Sequence, residues 1–544
     1  MGGLSKTMGT NLATTTKAAQ SLDLGRIEPT AAETLAWAQA LVAMKRREVS
    51  QGLARVGANV PAAHNYPPTL EEYVDTVKRR PKALRDVQRG EFYGSTTEYQ
   101  VLKYTNGQST PDVMGYLTYL NGYFERVGAW AEFNAAMNAA PRPVLDPRAR
   151  VGHTSIVGAS NAGKSELMKA LALHDIQSGA AVVVIDPHAK LARQIARWPE
   201  VAKTGRLVWM GHAHGDTTAR FNPLDARGLS EGDKEKAAES LVATLGDLVN
   251  DAEPTSRMAT MAWYCLRLLM EHEGSTLLTL RDMLTPHGAK EWAARGVQHP
   301  SESVAYYFQN EFLMDEKKVT RDGLRNRLVN VIGPKAFTAR FCQPSTVDLD
   351  AMLGARKVIV FDLYDLTGRT QIAAARLIAG ALAGWAKRRD LDEIENAAPV
   401  HVYLDEAGPI LSAATQTILR ETRKMGMYLT LASPDSSADL RKTAVRCAGG
   451  SEWKHALADT PAAYGKEDKT TTSGVFWVNW ANKTPFKLTV RRDLGDGVRG
   501  IGDDAWAKVL EAQRAAYYRP TVARQEATAK AADAAPKRAR RKPD

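Results

Sequence analysis

Residues 154–165 read T-S-I-V-G-A-S-N-A-G-K-S, and they constrain the chain more than any other stretch. Residues 154–157 suit a short buried strand. Residues 158–165 match G-x-x-x-x-G-K-[ST] without a mismatch, and 166–174 follow as a good helix former with Leu167, Leu171 and Leu173 among its apolar positions. Strand, glycine-rich turn and helix in that order are the context in which this pattern cradles phosphate. Glycine lets the backbone approach an anion and take the dihedrals of a tight loop. The helix N-terminus adds free N–H groups and a partial positive charge. Gly158, Ala159, Ser160, Asn161, Ala162, Gly163, Lys164 and Ser165 are therefore expected to hold ATP. Lys164 would reach the β- and γ-phosphates, and the Ser165 hydroxyl would hold Mg²⁺. The competing explanation is a chance match in a glycine-containing turn, which the flanking strand and helix argue against.

Strand-like runs recur at 181–185, 207–210, 357–361, 400–404 and 427–431, with helical stretches between them, including 370–389. Alternation of this kind predicts an α/β fold with a parallel sheet covered by helices on both faces. Residues 231–334 read as helical throughout, an inserted all-α subdomain. Residues 476–480 and 486–490 read as late edge strands. Upstream, 30–55 opens on a T-x-x-E capping pattern and reads as a helix that Gly52 could end a turn early. Residues 60–68 read as a Pro-rich linker, 69–89 as a basic helix broken at Pro81, and 112–139 as a helical region rich in aromatics. Those aromatics could stack nucleic-acid bases or form the core of a small helical domain, and the core reading is preferred. The resulting division is 1–29 disordered, 30–145 helical, 146–230 first part of the nucleotide-binding core, 231–345 all-α insertion, 346–500 second part of the core, and 501–544 a helix followed by a basic tail.

The net charge of +11 suits an anionic partner such as nucleic acid, although a basic tail alone would also raise it. Lys537-Arg-Ala-Arg-Arg-Lys542 places five positive charges in six residues. The three cysteines, Cys265, Cys342 and Cys447, are far apart and show no C-x-x-C spacing, which argues against a disulfide framework or a zinc site. No signal peptide and no run long enough to span a bilayer is evident, so a cytoplasmic location is expected.

A phosphate loop needs a partner carboxylate. Val400-His-Val-Tyr-Leu-Asp-Glu406 is an apolar strand ending in two acids. Asp405 would bind in the Mg²⁺ shell, and Glu406 would polarise the attacking water. The alternative is a pair of acids at a helix N-terminus. A second strand ending in an acid, at Asp362, lacks the following glutamate and ranks lower.

The ordered set G-A-S-N-A-G-K-S, V-V-V-I-D-P-H-A-K-L, F-N-P-L, K-V-I-V-F-D-L, V-Y-L-D-E-A-G and R-K-M-G-M-Y-L-T-L-A-S resembles the HerA–FtsK superfamily of DNA-pumping ATPases. The likeness covers about residues 150–460 and is nearest to the branch of conjugative coupling and type IV secretion ATPases. Its more specific motif residues are Asp186, Pro187, His188, Asn222 and Pro223. The resemblance implies a P-loop, RecA-like ATPase core and a homo-hexameric ring that drives DNA through a central pore. It also implies a relaxosome, secretion-channel or capsid partner and an arginine supplied by the neighbouring subunit, for which Arg420, Arg423, Arg441 and Arg446 are the candidates. Two departures stand out. Ala189 occupies the position of the family's glycine in D-P-H-G, and Ala432-Ser-Pro-Asp435 replaces the usual sensor glutamine. The rival expectations are a secretion-system motor that moves protein or remodels a complex without touching DNA, and a non-catalytic nucleotide switch. Glu406 argues against the switch, which needs no water-activating acid.

Overall fold

The structure, a computed structural model, describes residues 22–28, 31–56, 66–89, 101–102, 112–139, 145–246, 256–390, 394, 398–410, 421–435, 437, 440, 443–449, 473–480 and 485–520. The chain divides into two compact units. One comprises Met1–Arg26, Leu145–Thr484 and Leu488–Asp544, and the other Ile27–Val144 and Pro485–Lys487.

The described part of the smaller unit is built on the helices α1 (Ala31–Val56), α2 (Leu70–Gln88), α3 (Val113–Arg126) and α4 (Trp130–Ala139). Helix α1 runs through Gly52, and α2 continues through Pro81 where a break was expected. A proline removes one backbone donor, and an otherwise helical neighbourhood can absorb that loss. The start of α2 is a reciprocal cap: the Glu72 N–H donates to Thr69 Oγ1 at 3.2 Å, and the Thr69 N–H to Glu72 Oε2 at 2.9 Å. Tyr73, Tyr116, Tyr119, Tyr123, Phe124 and Phe133 pack with Ala38 and Val42 into one core. The Phe124 and Phe133 rings stack at 4.5 Å, and the buried Tyr116 hydroxyl donates to the Pro68 carbonyl at 2.8 Å. Side chains packed in this way have no free ring face for a base. They stabilise the unit instead, each by roughly 1.5–3 kcal/mol of burial.

The larger unit carries most of a ten-stranded sheet. Its strands are β1 (Gly25–Glu28), β2 (Thr154–Val157), β3 (Ala181–Asp186), β4 (Leu207–Met210), β6 (Val358–Asp362), β7 (Val400–Leu404), β8 (Met427–Ser433), β9 (Val445–Gly449), β10 (Val475–Trp480) and β11 (Phe486–Val490), while β5 (Thr217–Thr218) pairs with β12 (Arg519–Pro520) apart from it. The order is β1-β11-β10-β9-β2-β8-β7-β3-β6-β4. From β9 to β4 every pairing is parallel, and β10 joins β9 antiparallel. The parallel strands are near-continuous apolar runs because helices cover both of their faces. Three expectations are corrected here. Residues 25–28 form a strand rather than a disordered end. Strands β10 and β11 lie inside the sheet, since β1 flanks β11 and the edges are β1 and β4. Strand β9 was not anticipated, because Arg446 interrupts its apolar run.

A buried polar group ties the strands together below the site. Arg150, 2% exposed, donates to Asp175 Oδ1 at 2.8 Å, to the Tyr403 hydroxyl at 3.0 Å and to Thr430 Oγ1 at 3.1 Å. Burial pushes the Asp175 carboxyl up, but Arg150 and His401 beside it hold it below the ordinary carboxylate range. Between 231 and 341 the described residues form helices and connecting turns only, beginning with the helix Glu231–Gly246.

Candidate nucleotide site

Parallel strands deliver their C-terminal ends to one side of the sheet, and the site forms there. Strand β2 lies between β8 and β9, with Val157 opposite Ser433 on one side and Ala448 on the other. The chain then turns through 158–163. Asn161 and Gly163 take left-handed dihedrals, with φ of 65° and 99°, before the helix Lys164–Gln177 begins. Lys164 is 8% exposed, and its ammonium bridges the loop, donating to the carbonyls of Gly158 at 2.8 Å and Ala159 at 3.3 Å. The Ala162 N–H donates to the Ala159 carbonyl at 3.1 Å, closing the turn.

Strand β7 is separated from β2 by β8 alone, so its end meets the loop across one strand width. Asp405 follows directly, its N–H bonded to the Ile185 carbonyl at 3.2 Å. Burial first, then the nearby Asp186, pushes the Asp405 carboxyl up to about 6, with Lys164 pulling weakly the other way. Glu406 takes φ of 51°, a left-handed conformation that costs a non-glycine residue about 1–2 kcal/mol. The neighbouring Ala407 N–H donates to the Ala432 carbonyl on β8 at 2.6 Å. Ser160, Asn161, Gly163, Lys164, Ser165, Asp405 and Glu406 line one open cleft of about 730 Å³. A helix N-terminus, a lysine, a hydroxyl and two carboxylates around one cleft can bind a Mg²⁺-nucleotide and position a water. The residues fit the cation. Asp405 is desolvated among like charges that a divalent ion would relieve, and the Ser165 hydroxyl stands in the same cleft. Among the described residues no group of three or more His, Cys, Asp or Glu forms a metal cage.

The motif residues divide. Asp186 is fully buried and lies outside the cleft lining. Its carboxylate accepts from the N–H groups of His188 at 2.7 Å and Ala192 at 2.9 Å. Burial, chiefly, raises its carboxyl above the ordinary range. Its role is to shape the turn through Pro187 that places His188 and Lys190 in the cleft wall. Ala189 in that turn has φ of 65°, a backbone position suited to glycine. Asn222 pins its own loop, donating to the Ser275 carbonyl at 2.8 Å and accepting from the Leu224 N–H at 3.1 Å. With Pro223 it lines a different cavity, of about 240 Å³, and does not meet the phosphate loop. Asp362 is 1% exposed, paired with Arg193 at 2.9 Å, and is absent from the cleft lining. The Ser433 carbonyl accepts from the Gly158 N–H at 3.2 Å, and its hydroxyl accepts from the Asp435 N–H at 3.3 Å, which puts Ser433 beside the loop and leaves Asp435 exposed. Arg423 is exposed in the turn that precedes β8, at the end of the sheet opposite the cleft. Arg446 is the second residue of β9, opposite Ser155 across the ladder. Arg420 and Arg441 fall outside the described residues.

Sequence reasoning missed Gln194, Ser473 and Arg492, which also line the cleft. Gln194 accepts at 3.0 Å from the buried Lys169, which also pairs with Glu166 at 2.8 Å. No local pattern marks these residues, because each arrives from a separate part of the chain.

No protein-family model and no curated protein matches the chain. Among solved structures it is similar to the bacterial conjugative coupling protein TrwBdeltaN70, unbound, at 12% identity and a TM-score of 0.45, covering 64% of this chain and 87% of that one. The plasmid coupling protein TrwB in complex with ADP and Mg²⁺ matches with the same identity, score and coverage. VirB4 of Thermoanaerobacter pseudethanolicus follows at 16% identity and a TM-score of 0.41, covering 62% of this chain and 89% of that one. The strand order, the glycine loop and the helix that follows it make this an α/β P-loop NTPase fold.

Proposed function

We propose that the chain is an ATPase that hydrolyses Mg²⁺-ATP to move DNA, acting as a homo-hexameric ring of the conjugative-coupling kind. The observation that carries the proposal is the convergence of Lys164, Ser165, Asp405 and Glu406 on one cleft. Lys164 and the loop N–H groups hold the phosphate chain. Ser165 and Asp405 would hold Mg²⁺, which would neutralise charge on the phosphate oxygens. Glu406 accepts a proton from the water that attacks the terminal phosphorus, while the carbonyl of Ser433 fixes the loop at Gly158.

DNA as the cargo rests on the ordered motif set and on the net charge of +11. For the arginine supplied in trans, Arg423 suits the part best of the described candidates. The seven residues of β8, about 3.3 Å each, separate it from its own cleft and leave it exposed to a neighbour.

The test is ATP turnover by the full chain alone, with single-stranded DNA and with duplex DNA, beside Lys164→Ala and Glu406→Gln. Turnover stimulated by DNA and reduced by about a hundredfold or more in both variants is the expected result. Turnover indifferent to DNA would turn the reading toward a motor for protein, and unchanged turnover in Lys164→Ala would remove the ATPase assignment.

A further inference from the structure

Outside the motifs, the backbone most closely fastened to the phosphate loop is Ser473–Gly474. The Gly474 N–H donates to the Ala162 carbonyl at 2.8 Å, and the Ser473 hydroxyl to the Asn161 carbonyl at 2.6 Å. The Gly474 carbonyl in turn accepts from the Val490 N–H at 2.8 Å. A Cβ on Gly163 would lie 2.9 Å from the Gly474 Cα, so the approach requires glycine in the loop. Gly474 itself has φ of 87°, and a Cβ there would meet Arg492 Nη2 at 2.6 Å. The Arg492 guanidinium is thus laid against Gly474, beside the phosphate loop.

Arg492 donates to the Ser473 carbonyl, and its Nη2 stands 3.4 Å from the Ser473 hydroxyl. Its neighbour Arg491 is committed elsewhere, to Asp493 and to Asp23. Arg492 has no carboxylate partner among the described residues, and it lines the cleft with Asn161, Lys164 and Glu406. A guanidinium carries five N–H donors in a rigid fork that matches phosphate oxygens. Ser473 can satisfy only part of that fork, and the rest stands in a cleft built for an anion.

We infer that Arg492 is a nucleotide-binding residue acting in cis: it donates to the phosphate chain from beside the loop at Asn161 and Gly163, and Ser473 positions it. The inference rests on the reading of the cleft as a nucleotide site.

The experiment measures binding of a fluorescent ATP analogue with Mg²⁺ to the full chain, and its displacement by inorganic tripolyphosphate, which has neither base nor sugar. Wild type is compared with Arg492→Ala, Arg492→Lys and Lys164→Ala. Arg492→Ala should weaken both ligands by about ten- to a hundredfold, the value of a charge-assisted hydrogen bond or two. Arg492→Lys should recover part of the affinity, because it keeps the charge without the fork. Thermal unfolding without nucleotide should be unchanged, since the side chain is exposed. Full affinity in Arg492→Ala overturns the inference. So does weaker ATP binding with tripolyphosphate unaffected, because the phosphates would then not be what Arg492 touches. If wild type itself binds neither ligand, the nucleotide site fails first; if wild type binds and only the arginine variant is indifferent, Arg492 alone is refuted.

Discussion

Replacing Asp405 with asparagine should make the nucleotide-free protein more stable above neutral pH. Asp405 is 8% exposed, and burial, with Asp186 and Glu406 adding like charge, raises its carboxyl from 3.8 to about 6. The folded value lies above the unfolded one. Stability from this group is therefore fully present below pH 3.8 and is lost as pH rises through about 6. The rise is about 2 pH units, and at 1.36 kcal/mol per unit the ionised form costs the fold about 3 kcal/mol at pH 7–8. Asparagine keeps the shape and the oxygen that accepts from the Glu406 N–H at 3.1 Å, but it cannot ionise. The assay is thermal unfolding of wild type and Asp405→Asn in chelator, without nucleotide, from pH 4.5 to 8.5. The two midpoints should separate as pH rises, with the variant several degrees higher by pH 8. Mg²⁺-ATP should reverse the order, because on the proposed reading the carboxylate that costs stability is the one that would meet the cation. A difference that does not change with pH, or a variant less stable at pH 8, would refute the reasoning.

Four further outcomes follow from the same geometry. Lys164→Ala removes the cation that bridges the loop, and turnover should fall by about a hundredfold or more, read as steady-state phosphate release. Glu406→Gln should bind ATP about as well as wild type yet turn over some 10²–10⁴-fold more slowly, and a single-turnover experiment separates the two steps. Ala189→Gly relieves a residue at φ of 65° and should raise stability by about 0.5–1 kcal/mol, the left-handed penalty less the extra freedom of glycine when unfolded, read from the denaturation midpoint. Truncation after Ala535 removes the basic run 537–542, which lies outside the described residues, and should flatten the salt dependence of DNA binding by about 0.7–0.9 in log–log slope for each phosphate that the run neutralises. Identical slopes would show that the run does not touch DNA.

Much of the site was legible in the order of residues because its chemistry is local. The loop 158–165 joins a strand to a helix within a dozen residues, and the strand that ends at Asp405 is one apolar run. Buried parallel strands announce themselves in this way, since both faces are covered. The motif residues Asp186 and Asn222 were visible too, but their work was not. The burial of Asp186 and the two N–H groups it accepts show a residue that holds a turn. Asn222 pins a loop beside another cavity. The aromatics of 112–139 were ambiguous in sequence, and packing with Tyr73 placed them in the core, except Trp130, which is exposed.

What the sequence by itself determined, then, is the phosphate loop, the apolar strand that ends at Asp405 and the alternation that makes a parallel sheet. Only tertiary structure decided which strands lie beside which: β9 took its place next to β2 despite Arg446, β10 and β11 went inside the sheet, and Ser473 and Arg492 arrived at the loop. The physical reason is the range of the forces. Periodicity and turn chemistry act over a few residues and leave their mark in the string. Strand neighbours and cleft walls are chosen by burial and hydrogen-bond satisfaction between segments hundreds of residues apart, and no short window of sequence carries that choice.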